Sequence, residues 1–286
     1  MEAAIVAGSQ KHALVALPNG QQYKYGTAGF RMKADLLDGV TYRVGLLAAL
    51  RSRKLSSQTI GVMITASHNP AADNGIKLVD PLGDMHEQDW EAYATKLVNC
   101  ASDKEVGQTY FELATQLKID TSAPASVIFG RDTRPSGATL IKALADALDA
   151  TMTKYTDYKI LTTPQLHYLT RCINTEGTPQ SYGEVSEEGY YKKLSDAFVH
   201  ALKGRRVNGQ LTIDCSNGVG GPKLAEFLKY VPAETGLKVK IVNDDVLRPE
   251  VLNLEVWALL SDHPAQQLMS LCSVEQTLSS PSSELP

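Results

Sequence analysis

The stretch A-S-V-I-F-G-R-D-T-R-P-S-G, residues 125–137, predicts a buried β-strand, a polar turn and the start of a helix. Its first six residues are mostly apolar or β-favouring, as in the central strands of a sheet. Ser136 can cap a helix that runs to about Ala150, because a serine hydroxyl accepts a backbone N–H at a helix start. The order strand, turn, helix is typical of α/β domains.

The same alternation extends along the chain in both directions. Apolar spacing predicts helices at 40–50, 86–100, 102–117, 163–171, 187–203 and 222–230. It also predicts strands at 59–66, 210–214 and 237–243, and the end of a strand at 159–161. A further helix is possible over 251–260. We therefore expect an α/β fold in which helices cover a mixed, largely parallel sheet, followed by an incomplete second α/β domain.

Composition shifts divide the chain into three parts. A polar break at 174–183 suggests a first domain over 1–185 and a partial second domain over 186–245. Only one β-α-β unit follows the break, and such a unit leaves sheet edges and an apolar face uncovered. Residues 246–286 form a tail with one basic and five acidic side chains and a Ser/Pro-rich end, which we expect to be largely disordered.

The composition is that of an ordinary globular protein of 286 residues, with 43% hydrophobic and 21% charged side chains. A net charge of −4 gives no case for nucleic acid. The four cysteines are scattered, which argues against a disulfide framework or a zinc site. Neither a secretory leader nor a run of apolar residues long enough to cross a membrane is visible, so we expect a cytoplasmic protein with no membrane partner. The oligomeric state stays open.

Four polar loops share the features of a phosphate-handling site. They are T-A-S-H-N-P (65–70), Y-G-T-A-G-F-R (25–31), D-N-G-I-K-L-V-D-P-L-G (73–83) and G-R-D-T-R-P-S-G (130–137). Arginines supply paired donors, glycines allow close backbone approach, and a helix start offers free N–H groups. Ligands of α/β sheets bind at the carboxyl ends of strands, where these loops are expected.

Each residue also has a plain structural explanation when taken alone. Ser67 could cap its own turn, and Lys77 could be a solvated surface charge. Arg131 and Asp132 could form a surface ion pair, and His68 could be a structural histidine or act directly. The presence of all four loops in one chain, in this order, favours a functional site.

These loops resemble the α-D-phosphohexomutase superfamily. T-A-S-H-N-P followed by D-N-G-I-K, with G-T-A-G-F-R before and G-R-D-T-R after, carries that resemblance. The longer strings, including L-L-T-T-P-Q-L-H-Y and E-G-Y-Y-K-K-L-S, resemble its eukaryotic branch that acts on N-acetylglucosamine phosphates. The resemblance spans about residues 20–245. It implies interconversion of the 6-phosphate and 1-phosphate of N-acetylglucosamine, through a hexose 1,6-bisphosphate, for UDP-N-acetylglucosamine synthesis.

The resemblance also implies roles for individual residues. Ser67 would carry the phosphoryl group and be a ligand of Mg²⁺, while Lys77 and Arg31 would assist deprotonation of the reacting hydroxyl. Of Arg131 and Asp132, one would bind phosphate and the other would hold its neighbour. The remaining expected site residues are His68, assigned to the catalytic group, and Asn69, assigned to phosphate binding.

Several parts of the family pattern have no counterpart in these 286 residues. The superfamily's other three Mg²⁺ ligands are aspartates of a D-G-D-x-D-R loop, and neither that loop nor domains 3 and 4 can be found. We therefore expect a truncated or alternatively spliced product, or a gene-model error that looks the same. Two function classes follow: a mutase, and a catalytically silent fragment that acts as a binding or interaction module.

Overall fold

A computed structural model describes residues 1–26 and 29–254. Thr27, Ala28 and residues 255–286 lie outside it, so most of the helix predicted at 251–260 and most of the predicted tail are not part of the description. Within the described ranges, no helix combines the length and apolar character needed to cross a membrane.

The described chain alternates helices and strands. In order, the elements are α1 (Glu2–Lys11), β1 (Phe30–Lys33), α2 (Asp38–Lys54), β2 (Thr59–Ile64), β3 (Asp73–Val79), α3 (Asp89–Val98), α4 (Asp103–Gln116), β4 (Ser126–Arg131), α5 (Gly137–Ala150), β5 (Lys154–Ile160), α6 (Thr163–Thr175), α7 (Glu187–Leu202), β6 (Leu211–Asp214), α8 (Gly220–Leu228) and β7 (Val239–Val242), with short 3₁₀ turns at Pro18–Gly20, Ala34–Leu36, Ala233–Thr235 and Pro249–Val251.

Five strands form the main sheet in the order β1-β3-β2-β4-β5. The β2–β4 and β4–β5 pairs are parallel, whereas β3 pairs antiparallel with both β1 and β2. The predicted fold class, an α/β domain with a mixed sheet covered by helices, is confirmed. The antiparallel part arises because β3 returns directly from the loop after β2, and a short connection cannot make a parallel crossover.

Helices cover both faces of this sheet. Ile60, Val62 and Ile64 of β2 pack into a large core with α2, α3, α4 and α5. Met63, on the alternate face, packs with α6 residues such as Leu166. All six β2 residues are buried, which explains why this strand is a continuous apolar run rather than an alternating one.

The remaining described part is one β-α-β unit. Strands β6 and β7 pair in parallel and form a separate two-stranded sheet, with α8 between them along the chain. Helix α7 joins this unit to the first part of the chain. Glu187, at the start of α7, accepts a hydrogen bond from Gln165 of α6 (3.1 Å) and forms an ion pair with Lys223 of α8 (2.6 Å). The Tyr191 and Tyr230 rings stack at 5.5 Å. The division at residue 185/186 stays a prediction.

Candidate active site

The ends of β2 and β4 bring two of the predicted loops together. In the parallel pair, Ile64 lies opposite Arg131, so the chain leaves both strands at the same edge of the sheet. In the antiparallel pair, Met63 lies opposite Lys77. The sheet register therefore places the loop 65–70, here called the Ser67 loop, beside Lys77 and the turn after β4.

Ser67 is exposed and has a left-handed backbone conformation, with φ of +54°. Such a conformation costs an L-residue with a side chain roughly 1–2 kcal/mol, so surrounding contacts must hold it. The Ser67 N–H donates to Thr65 Oγ1 (3.0 Å), and the Thr65 hydroxyl donates to Asp132 Oδ2 (2.6 Å). The loop thus turns its serine outward while its backbone is tied to the turn after β4.

The buried side chain of Arg134 binds the backbone of the Ser67 loop. Its side chain is 1% exposed and pairs with Asp132 Oδ2, and its Nη2 donates to the carbonyl oxygens of Ser67 (3.0 Å) and Asn69 (2.7 Å). Arg134 lies in the G-R-D-T-R-P-S-G stretch, but the sequence patterns considered above do not predict this role for it. Its spacing from Asp132, two residues on in a turn that follows a strand, is the signal that could have identified it.

A cavity of about 370 Å³ opens in front of Ser67. Arg31 of β1 and Lys77 of β3 line it, and the start of α6 closes one side with Thr162 and Thr163. The remaining lining residues are Met63, Thr65, Pro164 and Val219. Three of the residues predicted to act together, Ser67, Lys77 and Arg31, are therefore brought to one cavity.

The guanidinium group of Arg31 is partly buried and therefore partly shielded from water. Burial lowers the pKa of its guanidinium, and the nearby Arg134 lowers it further. The buried Nε of Arg31 has no hydrogen-bond partner among the described residues. A buried donor without a partner costs free energy that an anionic ligand would recover, so Arg31 is suited to bind a phosphate in this cavity.

The approach of β1 to β3 depends on Gly29. Its φ is +81°, and a Cβ there would lie 2.1 Å from the carbonyl oxygen of Ile76 and 2.8 Å from Lys77 Cβ. No side chain fits this space. Glycine at this position therefore allows the loop before Arg31 to pack directly against the strand that carries Lys77.

His68 and Asn69 have different surroundings. His68 is half-buried, and burial lowers its imidazole pKa, with further lowering from the charges of Arg31 and Arg134. The Asn69 side chain donates to Asp73 Oδ2 (3.0 Å) at the start of β3. Neither side chain is among those that line the cavity in front of Ser67.

Arg131 and Asp132 separate into two roles. Asp132 is 4% exposed and holds Thr65 and Arg134, the neighbours of Ser67. Arg131 forms an ion pair with Asp157 of β5, Nη1 to Oδ1 at 3.5 Å, and does not line the Ser67 cavity. A direct phosphate contact by Arg131 stays a prediction.

A metal site in a protein needs several donor side chains close together. Across residues 1–26 and 29–254, no three His, Cys, Asp or Glu side chains lie close enough together to hold a metal ion. Of the donors expected to surround Mg²⁺, this part of the chain supplies the oxygen of Ser67 and no carboxylate cluster around it.

The fold and the serine loop define the class of protein. Two overlapping segments, 45–104 and 91–180, match the family model "Phosphoglucomutase/phosphomannomutase, alpha/beta/alpha domain I". A solved N-acetylglucosamine-phosphate mutase, described as a member of the α-D-phosphohexomutase superfamily, superposes with a TM-score of 0.77 at 42% identity. The chain belongs to this superfamily.

Within the superfamily, the chain is similar to phosphoacetylglucosamine mutases. That of Candida albicans is 45% identical over 255 residues, covering 84% of this chain and 46% of the relative, and that of Homo sapiens is 47% identical over 236 residues, covering 81% and 42%. A serine-to-alanine variant of the Aspergillus fumigatus enzyme, solved with glucose 1,6-bisphosphate, is 53% identical with a TM-score of 0.86, covering 93% of this chain and 49% of that one. The same enzyme was also solved with GlcNAc-6P and magnesium (52%, 0.82). The chain spans somewhat under half the length of the relatives it matches.

Proposed function

We propose that this chain has phosphoacetylglucosamine mutase activity, interconverting the 6-phosphate and 1-phosphate of N-acetylglucosamine in the cytoplasm for UDP-N-acetylglucosamine synthesis. Its similarity to mutases whose structures contain GlcNAc-6P and glucose 1,6-bisphosphate supports this substrate class. The single observation that carries the proposal is Ser67, an exposed hydroxyl on a left-handed residue that faces a cavity lined by Arg31 and Lys77.

In the proposed reaction, phosphorylated Ser67 donates its phosphoryl group to the free hydroxyl of the sugar monophosphate. The bond from phosphorus to Ser67 Oγ breaks, and a bond from phosphorus to the sugar oxygen forms, which yields a hexose 1,6-bisphosphate. Lys77 takes the proton of the sugar hydroxyl and returns it to Ser67 Oγ. The reverse transfer, from the other phosphate of the reoriented bisphosphate, regenerates phosphoserine and releases the isomeric monophosphate.

Charge and positioning supply most of the catalysis in phosphoryl transfer. Arg31 would neutralise the transferring phosphoryl oxygens, because its buried Nε lacks a partner in the described chain. Asp132 would act on Ser67 through Thr65 and Arg134. The proposed site also includes His68, Asn69 and Arg131, the last two as phosphate contacts reached only on ligand binding.

For Mg²⁺, we propose phosphorylated Ser67 as one ligand, since this ion prefers charged oxygen donors. The described residues do not complete a magnesium site around Ser67. No step of the transfer is therefore assigned to the ion.

We propose that the chain divides into 1–185, 186–245 and 246–286, at the polar break and the change of composition seen in the sequence. One sheet and its covering helices end with α6 at Thr175, and a separate sheet begins at β6. The Ser67 loop, Lys77 and Arg31 all belong to the first of these parts.

A coupled assay of the purified 286-residue chain tests the proposal. We expect formation of N-acetylglucosamine 1-phosphate from the 6-phosphate, its abolition in Ser67→Ala, and a kcat lower by roughly 10²–10⁴ in Lys77→Met, the usual effect of removing a general base. Lys229→Met, which changes an exposed lysine of the β-α-β unit, is the matched control. Equal turnover by wild type and Ser67→Ala would overturn the proposal.

A further inference from the structure

Two carbonyl oxygens of the Ser67 loop each accept hydrogen bonds from two different side chains. Besides Arg134, the amide nitrogen of Asn253 donates to the carbonyls of Ser67 and Asn69, both at 2.8 Å. Asn253 is only 6% exposed. The two donors belong to distant parts of the chain, since Arg134 follows β4 and Asn253 follows the β-α-β unit.

Asn253 is itself fixed by that unit. Its N–H donates to the carbonyl of Ser216 in the turn after β6 (2.9 Å), and its backbone is left-handed, with φ of +58°. The preceding Leu252 is 5% exposed and packs beside Gly218, where a Cβ would meet it at 3.3 Å. The amide is therefore presented to the Ser67 loop by a backbone already bound to the β6 turn.

The Ser67 loop needs such support. Ser67 holds a φ of +54° without being glycine or asparagine, and strained backbone persists only where its surroundings over-determine it. The amide NH₂ of Asn253 has two hydrogens, enough for one bond to each carbonyl. The two bonds fix the carbonyls on either side of His68, and with them the direction in which the Ser67 side chain leaves the loop.

We propose that Asn253 is a positioning residue of the phosphoserine loop, which fastens the backbone of Ser67 and Asn69 to the β-α-β unit. It does not touch the cavity in front of Ser67 and acts only through these carbonyls. The consequence is that presentation of Ser67 depends on the position of the second unit. The catalytic part of this inference rests on the proposed function, whereas the structural part does not.

Three variants of the full chain separate this role from simple packing. Asn253→Gly removes the amide and keeps the left-handed backbone, which glycine adopts freely. Asn253→Asp keeps the size but replaces the NH₂ group, which donates both bonds, by a carboxylate oxygen that repels the carbonyls. Asn243→Gly is the matched control, because Asn243 is also left-handed (φ +51°) and lies in the same unit, with its side chain bonded to Asp214.

Two readouts are used on all variants. Hydrogen–deuterium exchange of peptides covering 64–73 should be about tenfold faster in Asn253→Gly and Asn253→Asp than in wild type, as expected for two lost hydrogen bonds. Peptides of β4 report global unfolding and should be unchanged relative to Asn243→Gly. The initial rate of phosphate transfer to Ser67 from glucose 1,6-bisphosphate, followed by intact mass, should fall by a similar factor.

The outcomes distinguish the two proposals. Wild-type chain that takes up no phosphate on Ser67 would overturn the proposed function, and the exchange data would still decide the role of Asn253. Exchange in 64–73 that is the same in Asn253→Gly and Asn243→Gly would overturn the positioning role. Wild-type protection in Asn253→Asp would also overturn it, because that result would show that packing alone holds the loop.

Discussion

The imidazole of His68 follows Ser67 directly and lies near two arginine side chains. Burial lowers its pKa below the ordinary value, and the positive charges of Arg31 and Arg134 lower it further. This lowering of the pKa favours the neutral imidazole of His68 in the unphosphorylated protein. Because the unfolded chain binds the proton more readily, the stability contributed by neutral His68 is complete above the unfolded pKa of about 6.5 and is lost as the pH falls below it.

We predict that the His68 ring titrates below pH 6.5 in the unmodified chain, and that a phosphate on Ser67 raises its pKa, since a nearby anion stabilises the imidazolium. NMR titration of the ring protons in both forms measures this directly. A His68 midpoint that is unaffected by the phosphate would show that its ring faces away from Ser67.

The sequence predicted which site residues lie close together, but it did not predict every residue that holds them in position. Ser67, Lys77 and Arg31 were expected together and line one cavity. Asn253 was not expected, because it contributes through its amide to backbone carbonyls that are 184 and 186 residues away. Such contacts use atoms common to every residue and leave no pattern in the side chains of the loop.

Helices α2 and α5 pack against each other at short distance at Gly45. A Cβ at Gly45 of α2 would lie 2.7 Å from Ala147 Cβ and 3.0 Å from Leu144 Cδ1, both on α5. The Ala147 Cβ is attached directly to its backbone and cannot rotate away, so the helices themselves would have to separate. This contact sets the distance between α2 and α5 on the core side of β2 and β4.

We predict that Gly45→Ala lowers the free energy of unfolding by about 1–3 kcal/mol, the usual cost of overpacking a core. Gly220→Ala in α8 is the matched control, because nothing lies within 4 Å of a Cβ there. It should cause no loss, since alanine favours helix over glycine by up to ~1 kcal/mol. Urea unfolding of both variants measures the difference, and equal stabilities would contradict the packing argument.

Most helices and the central strands were predictable because their apolar spacing matches the faces they bury. The strands Phe30–Lys33 and Asp73–Val79 and the helix Glu2–Lys11 were not assigned. The two strands are polar at many positions and form by pairing with each other and with β2. Helix α1 buries only Ile5 and Ser9 fully, so it has too narrow an apolar stripe to be recognised.

At the scale of the whole molecule, the two sheets are joined through α7. Glu187 at its start contacts α6 and α8, while the linker after its end is exposed, with Lys203 and Arg205 near Gly204. The sequence predicted one folded domain followed by one β-α-β unit. It could not predict the Glu187 contacts, because they connect residues that become neighbours only once three helices have packed.

We predict that limited trypsin digestion cuts the chain first at Lys203 or Arg205 within the described residues and leaves a core that contains the main sheet. Exposed loops with small and polar residues are preferred cleavage sites, and Lys203, Gly204 and Arg205 are all exposed. Glu187→Gln should be cut faster there, since it loses the ion pair with Lys223, whereas Glu188→Gln, at an exposed neighbouring position, should match wild type. Mass spectrometry of the fragments tests this, and first cuts inside β2 or β4 would contradict it.

The most direct test of the central claim is the location of the phosphate after incubation of the 286-residue chain with glucose 1,6-bisphosphate. Tandem mass spectrometry should place a single phosphate on Ser67 in wild type and in Ser56→Ala, and none in Ser67→Ala. Ser56 is a fair control, because it is also exposed and left-handed, with φ of +56°. Phosphate on another residue of the wild-type chain, or none above the level of Ser67→Ala, would contradict the account of Ser67 as the phosphoryl carrier.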